Sequence, residues 1–542
     1  MRVAEAVGRT LAKLGVRQAF GVVGSGNFDV TNALVAGGAR YVAARHEGGA
    51  ATMADAYARM SEEVAALTLH QGCGVTNAMT GITEAAKSRT SLLVLAAEAT
   101  APTSNFAIDQ AAMAQAVGAI PVRLSSAESA VDEAAQAFHL ARDERRTVLL
   151  NLPLEIQAAE APASFDVARI DPPAPPEPAA DDVATVADLL SAAQRPVLIA
   201  GRGARNARAE LLALGDSCGA LLTTSAVAKG LFVGSPWSLD VSGGFASPLA
   251  AELIGAADAV VSFGCALNMW TTRHGRLINP DARVVQIDVE YSALGRHRPI
   301  DLGVVGDSAT FALAVTSALA GRKQDGYRSA DVRDRIAREV RWRDVVYDDW
   351  GDDQTIDPRT LTIALDDLLP SERVVAVDSG NFMGYPSMFL SVPDERGFCF
   401  TQAFQSIGLG LATAIGAALA QPERLPVAAL GDGGALMAAA ELDTLRRLGL
   451  PMVVVVYDDA AYGAEVHHFT DGQPLATVTF PDTDIAAIGA GYGLDAVTVR
   501  SVVDLAHVRR WIDSGRDRAL VIDAKVAAPR GSWWLEEAFR GH

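Results

Sequence analysis

Cysteine is scarce in this chain. Cys73, Cys218, Cys265 and Cys399 are its only four, widely scattered, with no pair at metal-ligand spacing. That excludes a disulfide framework or a zinc ribbon and fits a reducing compartment. Basic residues are in deficit: 46 Lys and Arg against 65 Asp and Glu give a formal charge of −19. Such a surface repels phosphate backbones, so nucleic acid is not an expected partner. Long apolar runs are missing too. The longest, residues 407–420, is rich in Gly and Ala and falls short of the roughly 20 residues that a membrane helix needs. The first residues place Val3, Val7, Leu11 and Leu14 on one helix face rather than in a signal-peptide run, and the expected location is the cytoplasm. Gly24-Ser25-Gly26 and Gly201-Arg202-Gly203 lack the third glycine of a dinucleotide fingerprint, which disfavours NAD.

What is present is a globular composition over 542 residues, half of them hydrophobic, enough for several cores. Three segments alternate β-branched runs with amphipathic stretches, the pattern of parallel sheets wrapped by helices. The expected fold class is α/β, with three doubly wound parallel-sheet domains at 1–162, 180–322 and 355–535. A Pro/Ala-rich linker at 168–182 and a charged stretch at 321–350 separate them. The first and third segments share a local order of strand, glycine-rich turn, helix and strand. ALTLH-QGCG-VTNAMTGITEAAKSR-TSLLVLAAE in one answers VAAL-GDGG-ALMAAAELDTLRRLGL-PMVVVVYDD in the other, as though one unit were used twice.

The sharpest signal is Gly431-Asp432-Gly433, followed after 24 residues by Asp458-Asp459. Residues 427–430 read as a strand end, Gly433 and Gly434 as a tight turn, and 435–448 as a helix whose free N–H groups face that turn. A second strand at 452–457 brings Asp459 to the same edge. Two carboxylates there can hold a hard cation against diphosphate oxygens, and Mg²⁺ suits that oxygen-rich set. The plainer reading of either piece alone is an ordinary turn or an exposed strand end.

These residues resemble the thiamine diphosphate enzymes of the acetolactate synthase and benzaldehyde lyase type, in which Gly-Asp-Gly precedes Asn-Asn at about this distance. Asp458-Asp459 replaces the asparagines here. The resemblance implies side-chain metal ligation by Asp432 and Asp459, carbonyl ligation by Ala461, and diphosphate contacts from Gly433, Gly434, Tyr462 and Gly463. Ser379, Gly380 and Asn381 match the family's second diphosphate loop. RHEGGAATMADAYAR (45–59) is a close match, so Glu47 is implied to bond the pyrimidine ring and activate the cofactor; read by itself, Glu47 is a good first-turn acid. Ile407 is implied to prop the cofactor into a bent shape, with the Gln405 carbonyl on its amino group; read by itself, Ile407 is core. Cys73, in place of a proline, and Asn77 fall beside the pyrimidine. The substrate side is implied to include Ser25, Gly26, Asn27, Gln110, Glu465 and His468, with Gln110 and His468 as candidate catalytic groups. His468 stands where the amino-acid-biosynthetic synthases carry tryptophan, which argues against that housekeeping role.

The resemblance further implies a homodimer or homotetramer with active sites between chains. The expected activity is a thiamine diphosphate- and Mg²⁺-dependent carboligase or transferase joining a 2-oxo acid, most simply pyruvate, to a carbonyl acceptor. The alternatives are a 2-oxo acid decarboxylase or 2-hydroxy ketone lyase, then a pyruvate oxidase-type flavoenzyme. The middle segment matches closely at 284–308, but GCALNMWTTRHG (264–275) lacks the acidic-basic pattern of FAD-bearing relatives, which disfavours FAD. A silent regulatory subunit is the remaining reading, opposed by the joint presence of Glu47, Asp432 and Asp459.

Overall fold

The computed structural model describes residues 1–163, 167, 170–322, 324–469 and 472–535. Three six-stranded, all-parallel sheets succeed one another along the chain. The first contains Gln18–Gly21 (β1), Arg40–Ala43 (β2), Ala65–Leu69 (β3), Leu92–Glu98 (β4), Ile120–Arg123 (β5) and Thr147–Pro153 (β6), in the order β2-β1-β3-β4-β6-β5. The middle sheet contains Pro196–Ala200 (β7), Leu221–Thr224 (β8), Ser238–Val241 (β9), Ala259–Phe263 (β10), Arg283–Asp288 (β11) and Leu302–Val305 (β12), in the order β12-β11-β10-β7-β8-β9. The third contains Arg373–Val377 (β13), Phe398–Phe400 (β14), Leu425–Gly431 (β15), Val453–Asp458 (β16), Asp495–Val499 (β17) and Leu520–Lys525 (β18), in the order β14-β13-β15-β16-β18-β17. The first and third orders are the same permutation, so the repeat read in the sequence is a repeat of topology. The first two residues of the expected linker, 168–169, lie outside the described residues, and its last three already belong to the helix Ala180–Ala192.

Parallel strands need cover on both faces, which is why the inner strands are mostly apolar. In β16, Val453 to Val456 are all buried. One apolar cluster runs from the first sheet into the third, taking in Met53, Leu67, Ile415, Leu430 and Val456. Its seam is the pair of helices Glu47–Ser61 and Gly410–Ala420, one following β2 and the other following β14. Gly416 permits the close crossing: a Cβ there would lie 2.2 Å from the Met53 carbonyl oxygen.

A buried charge group pins the same seam. Arg59 Nη2 donates to Asp55 Oδ2 at 2.6 Å and to Glu84 Oε1 at 2.8 Å, while Arg59 Nη1 donates to the Phe400 carbonyl across the domain boundary at 3.1 Å. All three side chains are almost wholly buried, so each charge depends on its partners. Among the described residues, no helix is long and apolar enough to cross a membrane.

Candidate functional site

The loops at the carboxyl ends of β13, β15 and β16 converge. Residues 435–448, expected as one helix, form two: Asp432–Met437 and Glu441–Leu448, with a turn between. Asp432 opens the first and is 7% exposed. It borders a cavity of about 320 Å³ lined by Gly433, Leu436, Met437, Asp458, Tyr462 and Phe480, among others. Glycine is required around this space. A Cβ would fall 2.6 Å from Tyr462 at Gly433, 2.3 Å from Asp378 Oδ2 at Gly434, and 2.4 Å from Asp459 Oδ2 at Gly463.

The acids here repel one another. Burial, and then the charge of Asp458, push the Asp432 carboxyl up to about 7. Burial, and then Asp432 and Asp458, push Asp459 up to about 8. Asp458 is committed elsewhere. Lys525, its register neighbour on β18, places Nζ 2.5 Å from Asp458 Oδ2 and also reaches Asp482 at 2.5 Å and Asp523 at 3.1 Å. The acid that replaces the resembled family's first asparagine therefore has a counter-ion on the adjacent strand. Among the described residues, no cluster of three or more His, Cys, Asp or Glu is arranged to hold a metal by itself. Asp432 and Asp459 are a partial donor set, one that carbonyl and phosphate oxygens would complete. The bridge between Ala461 and Thr479 is made through the Ala460 carbonyl and the Tyr462 N–H.

Two further loops lie beside these residues, Asn381 against Gly463 and Gly408 against Met437. Asn381, 5% exposed, accepts at Oδ1 from the Ser532 N–H (2.9 Å), and its carbonyl accepts from Ser532 Oγ and Trp534 Nε1. Gly380 has φ +142, a region that a side chain would disfavour. Gln405 is exposed with φ +62, in the left-handed region, and Ile407 follows. Buried Asp378 ties these loops together by accepting the N–H groups of Ser379 (2.8 Å), Gly408 (3.0 Å) and Leu409 (3.2 Å). Burial, opposed by those bonds, raises Asp378 to about 6. Asp378 was missed in the sequence, though it ends the recognisable strand RVVAVD.

The N-terminal group is carried by elements of the first sheet's domain. Glu47 opens its helix, half-exposed, with Oε2 accepting from Asn77 Nδ2 at 3.0 Å. His46 caps that helix by accepting the Gly48 N–H at 3.0 Å. Cys73 is exposed at the start of the next helix, Cys73–Lys87. Ser25 is exposed and Gly26 buried, with the Gly26 N–H directed at His70 Nδ1 (3.3 Å).

Two of the residues expected on the substrate side are buried and hydrogen-bonded within their own domain. Asn27 is fully buried: its amide donates to the Val22 carbonyl and Thr68 Oγ1, and its Oδ1 accepts from the Gly24 N–H. Gln110, 3% exposed, gives its amide to the Ala97 carbonyl and Asn151 Oδ1, and its Oε1 accepts the Gly72 N–H. Both fasten loops from within. Glu465 is exposed and His468 half-buried against Phe469, on the helix Gly463–His468 just past Asp459.

Two like-ordered parallel sheets, the first and third, and a middle sheet define a three-domain α/β protein. Family comparison assigns each part. Residues 1–118 match the thiamine pyrophosphate enzyme N-terminal TPP binding domain, 183–315 the central domain, and 378–524 the C-terminal TPP binding domain. The chain belongs to the thiamine pyrophosphate enzymes. It is 28% identical over 574 residues to a sulfoacetaldehyde acetyltransferase from Rhodobacter capsulatus, covering 99% of this chain and 96% of the relative. It is 28% identical over 530 residues to a probable 2-ketoarginine decarboxylase from Pseudomonas aeruginosa (94% and 91% covered). It is 25% identical over 531 residues to a probable acetolactate synthase large subunit from Methanocaldococcus jannaschii (92% and 87%).

Proposed function

We propose that the protein is a thiamine diphosphate- and Mg²⁺-dependent transferase or carboligase that takes a 2-oxo acid, decarboxylates it and delivers the acyl unit to a carbonyl acceptor. The observation that carries this reading is the pair of half-sites: Asp432 bordering a cavity beside Gly433, with Asp459 against Gly463 and near enough to feel its charge, and Glu47 presented at a helix start. Thiamine diphosphate, when bound, would supply an acidic ring carbon as nucleophile and an electron sink for decarboxylation of a 2-oxo acid. Asp432 and Asp459 hold the cation that screens the diphosphate, with the Ala461 carbonyl as a third donor. Gly433, Gly434, Tyr462 and the Ser379–Asn381 loop cradle the phosphate oxygens. Ile407 would support the cofactor from below, and the Gln405 carbonyl would accept from its pyrimidine amino group. Glu47 exchanges a proton with pyrimidine N1′, and Asn77 fixes its other oxygen. His468 and Glu465 stand where an incoming carbonyl would pass.

The residues lining the cavity at Asp432 all come from 432–483. Glu47 is therefore best supplied by a second chain, and we place the active sites between the subunits of a dimer. Relatives named for acetyl transfer and acetolactate synthesis support transfer to a carbon acceptor; the one named a decarboxylase supports the alternative, release to a proton. The deciding experiment is incubation with thiamine diphosphate, Mg²⁺ and a panel of 2-oxo acids and aldehydes, with CO₂ and products read by mass spectrometry. A joined product that requires both substrates is expected. Aldehyde alone would establish the decarboxylase, and no CO₂ from any 2-oxo acid would overturn the reading.

The paired acids also set a pH dependence. Their folded-state values, about 7 and about 8, lie above the ordinary 3.8. The stability they lend the cation-free fold is full below 3.8 and is lost as pH rises through 7 and 8. A cation competes with those protons, so the Mg²⁺-induced rise in Tm should grow with pH. Apparent cation affinity should climb by up to ~10-fold per pH unit for each proton displaced, until about pH 8. Thermal melts with and without Mg²⁺ across that range check this; a Mg²⁺ shift independent of pH would contradict it.

A further inference from the structure

Glu441 lies on the third sheet's helix Glu441–Leu448, yet its carboxylate is spent on the first domain. Oε1 accepts the backbone N–H groups of Arg45 (3.1 Å) and His46 (3.0 Å), the two residues before Glu47. Arg45 N–H also reaches Oε2 (3.3 Å), and Thr444 Oγ1 steadies that oxygen at 2.6 Å. The side chain is buried, 3% exposed. Gly49 leaves room for it, since a Cβ there would sit 2.5 Å from Oε1. Beside it Arg45 Nε donates to Asp443 Oδ2 at 2.6 Å, and Arg447 Nη2 to the Ala43 carbonyl at 2.5 Å.

The same device occurs in reverse. Glu84, fully buried on the first domain's helix Cys73–Lys87, accepts the N–H groups of Ala403 (3.0 Å) and Phe404 (2.6 Å), the two residues before Gln405. The correspondence is topological. Glu84 follows β3 and Glu441 follows β15, which are equivalent strands; the loops they grip follow β2 and β14, which are equivalent edge strands. Each domain thus places one buried carboxylate on two consecutive amides, one residue short of the group that the other domain presents to the cofactor.

We propose that Glu441 is a positioning residue for Glu47: it fixes the backbone from which Glu47 emerges and ties it to the strand–helix unit that carries Asp432. A carboxylate binding two N–H groups at a helix entry sets both position and direction, and without it those part-buried donors would have to find other partners by moving. The proposal rests on the reading of Glu47 as the residue that primes the cofactor.

The test uses the full chain loaded with thiamine diphosphate and Mg²⁺. The readout is the rate at which the thiazolium C2 proton exchanges with deuterium, measured by NMR after acid quench, alongside cofactor Kd and amide exchange at 45–46. Glu441→Ala is expected to slow C2 exchange by about 10- to 100-fold, with Kd within about threefold and faster amide exchange at 45–46. Glu441→Gln, which keeps an acceptor oxygen, should restore most of the rate. If the alanine chain does not fold, Glu441→Asp withdraws the carboxylate by one methylene and should slow exchange in the same way. Glu47→Gln separates the two readings. If it slows exchange while Glu441→Ala or Glu441→Asp leaves it unchanged, the positioning role is overturned. If Glu47→Gln itself exchanges at the unaltered rate, the reading of Glu47 fails and the positioning role with it.

Discussion

Glu47→Gln is expected to lower turnover by roughly 10²- to 10⁴-fold, the range of a lost general acid–base group, while cofactor stays bound. The substitution is nearly isosteric. Gln still accepts from Asn77 Nδ2, now 3.0 Å from Glu47 Oε2, and the helix start remains capped by His46, so the fold has no reason to change. What disappears is a side chain able to exchange a proton with the pyrimidine ring. The check is steady-state turnover beside cofactor binding in the same preparation. Equal loss of both would mean that Glu47 holds the cofactor rather than priming it, and unchanged turnover would remove it from the chemistry.

The second large effect falls on the cation. Asp432→Ala should weaken Mg²⁺-dependent thiamine diphosphate binding by about 100-fold or more, ~2.7 kcal/mol. It deletes a buried charged donor from a set that has only two side-chain members. Asp459→Asn should behave differently. An amide oxygen still ligates, and one of two mutually repelling carboxylates is gone. Binding should stay within about tenfold of the parent, and its pH dependence should move to lower pH because the Asp459 titration near 8 is gone and Asp432, near 7, remains. Isothermal titration of both variants across pH separates these outcomes. Equal losses in the two would mean that the cation is not shared as described.

The strands β13, β15 and β16 and the helix behind Glu47 were legible in the sequence because each is set by local chemistry, whereas Gly433 and Gly434, expected as a tight turn, lie in the helix Asp432–Met437. A run of four valines at 453–456 fits a strand covered on both faces, and glycines mark turns where a Cβ would collide. The edge strands β5, β14 and β17 left little trace, being short and, in β5 and β17, only partly buried. Ala438-Ala439-Ala440 invites an unbroken helix by propensity, yet the chain turns there and starts a new helix at Glu441. Tertiary contact overrides propensity at that point, because Glu441 must reach Arg45 and His46. The burial of Asn27 and Gln110 was not legible for a related reason: a polar side chain in a glycine-rich loop can face outward or pin the loop, and sequence does not say which way it points. Glu441 and Lys525 were invisible as partners because what they bind lies 395 and 67 residues away.

Calorimetric titration of the purified chain with thiamine diphosphate, with and without Mg²⁺, bears most directly on whether Asp432 and Asp459 hold a cation against the cofactor's phosphates. The expected result is saturable binding at about one cofactor per chain, abolished by chelation and restored by added Mg²⁺. Binding that is indifferent to divalent cations, or no binding at all, would contradict it.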